Sequence, residues 1–174
     1  MNDSERIHRI DSLTPRQAVA TVQYMTAWLD EQRPEQQERT TEQQIDMLNA
    51  EFELAGHAPL ALSPSAKPDL QAGGKAARQV LAALAQSPDR ALLDALDPLL
   101  AEPPEAETKA LLEVAVVSVV LTACIMALGT KAEFEKDERG RTRVKLSREG
   151  IAGPDLKSVL EGFYAAVKSL AGMA

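Results

Sequence analysis

The feature that most constrains the fold is an apolar stretch at residues 111–129. From residue 114 to residue 128, its polar members are Ser118, Thr122 and Cys124 alone. A helix that is apolar on every side is either buried in a protein core or spans a membrane. A spanning helix needs about 20 apolar residues, and this run of fifteen is shorter. The sequence therefore favours a buried central helix, with membrane insertion of residues 111–129 as the alternative.

Composition decides what can pack around that helix. Hydrophobic residues make up 45% of the 174-residue chain, but aromatic residues only 3%. A core built from leucine, valine and alanine favours helices packed on helices, and a chain of this length can bury a sizeable core. We therefore expect a mainly α fold: a helical bundle of about five or six helices, with one antiparallel β-hairpin at about residues 131–147 before the C-terminal helix.

The first two helices are predicted from capping and periodicity. Thr14 and Gln17 match a capping box with Pro15 between them, which indicates a helix that continues to about Gln32. A second helix is predicted within residues 35–54. Its apolar residues form a narrow stripe, which suits contact along one seam, and they are Ile45, Leu48 and Phe52. This helix either folds back on the first as a hairpin or pairs with another protein.

Polar residues and prolines mark the other segments of the N-terminal half. Residues 1–12 are polar, and we expect them to be irregular, with Ile7 and Ile10 as anchors. Residues 55–68 hold three prolines and a single charged residue, which is typical of a linker or an extended crossing segment. We therefore divide the chain into an N-terminal helical arm or helix pair (residues 1–54), a linker (residues 55–68) and a helical domain (residues 69–174).

Two more helices are predicted before the central one. The first begins at about Asp69, and Ser87-Pro88-Asp89 caps the second. Pro98 follows Asp97, and because the residue before a proline disfavours α geometry, we expect a kink or a break there. Gly73-Gly74-Lys75 lacks the spacing of a phosphate-binding loop, so we expect only a weak point near a helix start.

The hairpin has the most specific local signal. Asp137-Glu138-Arg139-Gly140 fits a type I turn with the glycine in the left-handed region. The register set by this turn pairs apolar residues on one face and opposite charges on the other, as Phe134–Val144, Ala132–Leu146, Glu135–Arg143 and Glu133–Lys145. A lone two-stranded hairpin is marginal in water. Its apolar face must therefore pack on a helix, most simply on the last one.

The sequence holds no pattern that indicates catalysis or metal binding. His8 and His57 have no Asp, Cys or Glu at the spacing of metal ligands. Cys124 lies in the middle of the apolar helix, where a thiol behaves as an inert apolar group. We therefore expect no catalytic residue, no metal site and no cofactor, and a protein that is not an enzyme.

Charge and cysteine content indicate protein partners and a reducing compartment. The net charge is −7, whereas phosphate binding needs clustered lysine and arginine, so nucleic acid is disfavoured. A single cysteine fits a reducing compartment, and the charged start has no apolar signal-peptide core. We therefore expect a cytoplasmic protein.

The predicted function is that of a non-enzymatic protein–protein interaction module. Such a module would act as an accessory subunit, an adaptor or a regulator of a partner protein, and this class includes immunity proteins of the inhibitor type. It would form a hetero- or homo-oligomer, and a small membrane-associated protein is the alternative. The candidate surfaces are the acidic, glutamine-rich helices of residues 15–54 and the outer edge of the hairpin. The candidate partner-binding residues are Trp28, Ile45, Leu48, Phe52, Arg139, Arg141 and Arg143.

Overall fold

A computed structural model of the chain describes residues 1–32, 39–105, 109–148 and 154–172. These residues form seven α-helices and one two-stranded antiparallel sheet. In chain order the elements are α1 (Asp3–Ser12), α2 (Pro15–Gln32), α3 (Thr41–Leu54), α4 (Leu70–Leu84), α5 (Arg90–Ala101), α6 (Lys109–Leu128), β1 (Thr130–Lys136), β2 (Thr142–Arg148) and α7 (Pro154–Leu170). The fold is mainly α, with the hairpin directly before the last helix, as predicted.

Residues 1–12 contain helix α1, so the expectation of an irregular start is wrong. The side chain of Asn2 caps the helix by accepting a hydrogen bond from the backbone N–H of Glu5 at 2.8 Å. Ile10 is buried and Ile7 packs at the edge of the core, so both expected anchors contact the core. Two apolar residues alone give too weak a periodicity to predict this helix from the sequence.

An ion pair with little exposure to solvent ties α1 to α5. Nε and Nη2 of Arg6 donate hydrogen bonds to the two carboxylate oxygens of Asp97, at 2.7 and 3.0 Å. The Arg6 side chain is 9% exposed and that of Asp97 is 21% exposed. Hydrogen bonding to Arg6 holds the pKa of the Asp97 carboxyl below its ordinary value, although partial burial acts in the opposite direction.

Helix α2 starts as predicted and runs through the core. The backbone N–H of Gln17 donates to Oγ1 of Thr14 at 3.2 Å, and the N–H of Thr14 donates to Oε1 of Gln17 at 3.0 Å. This reciprocal pair is the capping box that the sequence indicates. The helix packs mainly against α4 and α6.

Helix α3 does not pack mainly on α2, so the helical hairpin, the first of the two expected alternatives, is wrong, while pairing with another protein stays a prediction. A second capping box, between Thr40 and Gln43, starts α3. Its main contacts are with α6, β2 and α7. The apolar stripe of α3 therefore faces the middle of this chain. The predicted helix start at residue 35 lies outside the described residues.

One apolar cluster joins helices from both halves of the chain. It includes buried side chains of α1 to α7. The segment between α3 and α4 also contributes, because Leu60 and Leu62 are buried. Asn49 fixes this segment: its Nδ2 donates to the carbonyl of Leu60 at 3.0 Å, and the Leu60 N–H donates to Oδ1 of Asn49 at 2.8 Å. The segment between α3 and α4 therefore crosses the surface of the core. The division of the chain into an arm, a linker and a domain stays a prediction.

The apolar stretch forms α6, the central helix. Its side chains from Val120 to Leu128 are buried, apart from the half-buried Thr122. The helix packs on α2, α3, α4 and α7, and Gly129 ends it with a φ of 62°, as a glycine after a helix C-terminus does. Among the residues that the structure describes, no helix has the length and apolar character needed to cross a membrane.

Glycines allow α4 to approach its neighbours closely. A Cβ atom on Gly74 would lie 2.5 Å from Cβ of Pro15 in α2. One on Gly73 would lie 2.9 Å from Cγ1 of Val116 in α6. Both glycines are buried within α4. The pair expected to be a weak point is therefore a contact surface where two other helices cross α4.

Pro98 lies inside α5 and does not end it, so of the expected kink or break the break is wrong, while the kink stays a prediction. The helix continues to Ala101, and the carbonyl of Pro98 accepts a hydrogen bond from the N–H of Glu102 at 3.0 Å. Leu96 and Leu100 on either side of the proline are buried. Their packing offsets the backbone hydrogen bond that a proline cannot donate.

Gly74→Ala tests the close contact between α4 and α2. We expect the free energy of unfolding to fall by about 1 kcal/mol, because overpacking costs about 1–3 kcal/mol, of which the gain in helix propensity offsets about 1 kcal/mol. Urea unfolding followed by circular dichroism measures the change. Lys75→Ala, at an exposed position of the same helix, is the control and should change stability by less than about 0.5 kcal/mol. Equal stability of the two variants would contradict the contact.

Asp97→Asn tests the ion pair between α1 and α5. At neutral pH we expect a loss of about 2 kcal/mol, since a hydrogen bond to a charged group contributes about 1.5–3 kcal/mol. The folded-state pKa of Asp97 is depressed. Its contribution is therefore present above the unfolded pKa of about 3.9 and is lost as the pH falls through the folded pKa.

Urea unfolding of both proteins across the acidic range measures this dependence. The stability difference between the original chain and Asp97→Asn should shrink below about pH 4. Asp94→Asn, exposed on the same helix, is the matched control. A difference that stays constant from neutral pH into strong acid would show that the carboxylate charge is not what holds α1.

Candidate functional site

The hairpin has the register and the turn that its sequence predicts, which confirms both. Gly140 has a φ of 74°, and its N–H donates to the carbonyl of Asp137 at 3.0 Å. The Asp137 carboxylate accepts hydrogen bonds from the backbone N–H groups of Arg139 and Arg141, at 2.9 and 2.8 Å. This one carboxylate therefore orders the tip of the hairpin.

The apolar face of the hairpin packs beside α3, and the expectation that it packs on the last helix is wrong. Phe134 and Val144 face each other across the strands and are half-buried against the core. Cζ of Arg39, which lies just before α3, is 5.7 Å from the centroid of the Phe134 ring. β2 is the strand that contacts α3. Helix α7 packs mainly on α4 instead, so its apolar stripe is already covered.

The opposite face of the hairpin is charged and unequally paired. Glu135 lies directly opposite Arg143, but its Oε1 pairs diagonally with Nζ of Lys145 at 3.1 Å. Arg143 is therefore left without the partner that the register suggests. Three exposed side chains, the hairpin arginines Arg139, Arg141 and Arg143, form no ion pair with any residue that the structure describes.

The other predicted partner-binding residues are not brought together with the hairpin arginines at one surface. Ile45, Leu48 and Phe52 are 8%, 1% and 0% exposed, within the chain's own core. Trp28 of α2 is half-buried, one turn after Tyr24, which is 58% exposed. The folded chain thus presents an aromatic edge of α2, whereas partner binding through the three α3 residues stays a prediction.

The exposed face of α3 carries an acidic stripe that the predicted site residues do not include. We define it as Glu42, Asp46 and Glu53, which lie at helical spacing on one face and are all exposed. No described lysine or arginine forms an ion pair with them. Partial burial, and then the charge of Glu42, raise the pKa of the Asp46 carboxyl. A helical projection of the polar residues of α3 reveals this stripe, because acids repeat there beside the apolar seam.

A cleft of about 220 Å³ lies between the start of α3, the crossing segment and α6. Its lining includes hydroxyl side chains and one cation, which are Thr41, Ser65, Ser118 and Lys67. The described lining contains neither a carboxylate nor an imidazole. A hydroxyl needs an adjacent base to act as a nucleophile. No hydrogen bond of the described residues joins Lys67, the basic side chain of this lining, to any of the three hydroxyl groups.

The histidine and the cysteine of the described interior have structural surroundings. The His57 ring stacks on Tyr164, with 4.4 Å between centroids and 17° between planes. The Tyr164 hydroxyl donates to the carbonyl of Ala58 at 3.2 Å, which holds the crossing segment on α7. Cys124 is fully buried, and burial raises the pKa of its thiol. Among the described residues, no group of three His, Cys, Asp or Glu side chains could hold a metal ion.

The hairpin differs in charge from the remainder of the chain. Residues 130–148 contain seven basic and four acidic residues, which gives a net charge of +3. Since the whole chain has a net charge of −7, the residues outside the hairpin carry −10. Compared with known proteins, the chain matches no family model, and no curated protein or solved structure shows a significant similarity to it. A functional proposal therefore rests on the chain's own surfaces.

The reactivity of Cys124 tests its burial. In the native protein at mildly alkaline pH, we expect almost no reaction with a disulfide reagent such as DTNB, because the thiolate is the reactive form and burial disfavours it. Reaction should be complete once the protein is unfolded in guanidinium chloride. Ser118→Cys in a Cys124→Ser background puts a thiol at an exposed position of the same helix and should react at once. Comparable native rates for the two thiols would contradict the buried position.

Proposed function

We propose that this chain is a non-enzymatic protein–protein interaction module, which acts as an accessory subunit, adaptor or regulator and binds charged protein surfaces. Its hairpin arginines would recognise carboxylates, and its acidic stripe would recognise basic side chains. The observation that carries the proposal is that Arg139, Arg141 and Arg143 are exposed on an ordered hairpin without an ion pair to any described residue. A cytoplasmic location is part of the proposal.

Arginine suits this role for a chemical reason. Its planar guanidinium presents donors in a fork that matches a carboxylate with two parallel hydrogen bonds, and arginine is enriched at protein interfaces. The backbone that carries these arginines is held by the Asp137 carboxylate and by the hairpin's contact with α3. A surface that is ordered before binding loses less conformational entropy on association.

Charge supports a protein partner over nucleic acid. The hairpin carries a net charge of +3, beside a remainder of −10. A nucleic acid presents a dense line of phosphates, which an acidic protein repels beyond its immediate contact. A protein surface can carry a few carboxylates without such a charge density, so it fits the small basic area better.

The membrane-associated alternative does not form part of this proposal. The buried side chains of α6 from Val116 onward pack against α2, α3, α4 and α7. Their insertion into lipid would expose the apolar faces of four other helices to water, which is costly. The module is instead proposed to bind through side chains that are already exposed.

Charge reversal of the hairpin arginines tests the proposed function. A tagged chain is used to capture partners from a nuclease-treated lysate of its own host, and they are quantified by mass spectrometry. We expect a stoichiometric protein partner, and the Arg139→Glu, Arg141→Glu, Arg143→Glu triple variant should reduce its recovery at least tenfold, because each arginine–carboxylate contact becomes a repulsion.

The matched control reverses three exposed cations elsewhere in the chain: Lys75→Glu, Arg90→Glu and Lys157→Glu. It changes the net charge by the same amount and should retain the partner. Equal loss with both triple variants would indicate a non-specific charge effect and contradict the proposed surface. Recovery that is unchanged by the hairpin variant, or a chain that captures no protein, would also contradict it.

A further inference from the structure

Opposite charges lie on two neighbouring elements of this chain. The hairpin contacts α3 through β2. The guanidinium of Arg39, immediately before α3, lies over the Phe134 ring of β1, 5.7 Å from its centroid. The first half of α3, with Glu42 and Asp46, is therefore close to the basic hairpin.

Neither set of charges is neutralised by the described part of the chain. Glu42 and Asp46 are like charges one turn apart on α3, an arrangement that destabilises a helix. They form no ion pair with a described cation, and the hairpin arginines form none with a described acid. Phe134 and Val144 face the core, so Arg143, which alternates with them along the strand, lies on the opposite face of the hairpin. Both sets are thus available to another molecule.

The two surfaces together restrict what that molecule can be. A polyanion would fit the hairpin arginines but would be repelled by the acidic stripe of the same chain. A uniformly basic protein would fit the stripe and be repelled by the hairpin. A partner that satisfies both must carry an acidic and a basic area, and a second copy of this chain carries both.

Two-fold symmetry lets two copies satisfy each other. An isologous contact uses the same surface on both subunits, so each contact occurs twice. We propose that the chain forms a homodimer in which the hairpin arginines of each copy meet the acidic stripe of the other. This inference rests on the proposed function and deepens it by naming the partner as a second copy.

The chemistry of the contact sets how the dimer should behave. Exposed ion pairs are individually weak and are screened by salt. The dimer should therefore form reversibly and dissociate on dilution. Its dissociation constant should rise at least tenfold between about 0.1 M and 1 M salt, where the screening length falls from about 10 Å to about 3 Å.

Sedimentation-equilibrium centrifugation of the full chain over a range of concentrations tests the proposal. Two double variants are compared with the original chain. The first is Arg141→Glu, Arg143→Glu, and the second is Glu42→Arg, Asp46→Arg. Each variant alone should be monomeric, because both symmetric contacts become repulsive. An equimolar mixture should form a heterodimer, because reversed hairpins then face reversed stripes and native hairpins face native ones.

A four-fold variant combines all these changes. It tests whether loss of the dimer comes from charge repulsion and not from loss of the fold. It should dimerise by itself, since both contacts are again complementary. The control, Lys75→Glu, Arg90→Glu, should dimerise like the original chain. Circular dichroism and thermal unfolding confirm that each variant is folded, which their exposed positions predict.

The outcomes separate this inference from the proposed function. A chain that stays monomeric at high concentration in low salt, a dimer that the double variants leave intact, or a mixture that fails to associate would each overturn the homodimer. If such a monomer still captures another protein through its hairpin arginines, the interaction module stands and the homodimer falls. A monomer that captures nothing would overturn both.

Discussion

Helix α4 packs on four other helices, and it can do so because its neighbours approach its backbone closely. Gly74 contacts Pro15 of α2, and Gly73 contacts Val116 of α6. In α7, a Cβ atom added to Gly162 would lie 2.8 Å from the Cβ atom of Ala83 in α4. With aromatic residues at only 3% of the chain, large side chains cannot fill wide gaps between helices. Dense packing must come from short distances between helix axes, which small residues permit. The positions of α2, α6 and α7, and so of the surfaces they support, follow from these contacts.

The sequence predicts local structure well because its determinants are local. The capping box of Thr14 and Gln17 and the hairpin register depend on residues a few positions apart, and both agree with the structure. The choice of packing partner depends on residues far apart in the chain. The hairpin lies beside α3 and not α7, because α7 is covered by α4. Helix α1 depends on a carboxylate 91 positions beyond Arg6, which no local pattern reveals.

The candidate surface was predictable only in part, for a similar reason. A cluster of arginines in a hairpin is visible in the sequence. Which arginines stay without an ion pair depends on side-chain conformation. Lys145 forms an ion pair with Glu135 across the strands on the diagonal, and Arg143 stays exposed. The acidic stripe is less visible in the sequence, because its residues lie beside the apolar seam of α3, and the seam dominates the helical pattern. Its proximity to the hairpin follows from tertiary packing alone.

The link between Arg6 and Asp97 also has a consequence for how the chain is made. Synthesis proceeds from the N-terminus, so α1 emerges from the ribosome long before the carboxylate that holds it. Gly162 and Ala83 impose a similar delay at the other end, because the face of α4 that receives α7 stays uncovered until the last helix is complete. Nascent chains expose apolar surface during such intervals. The bundle can therefore close only once α7 has emerged, and shorter nascent forms leave the face of α4 that receives α7 exposed to water.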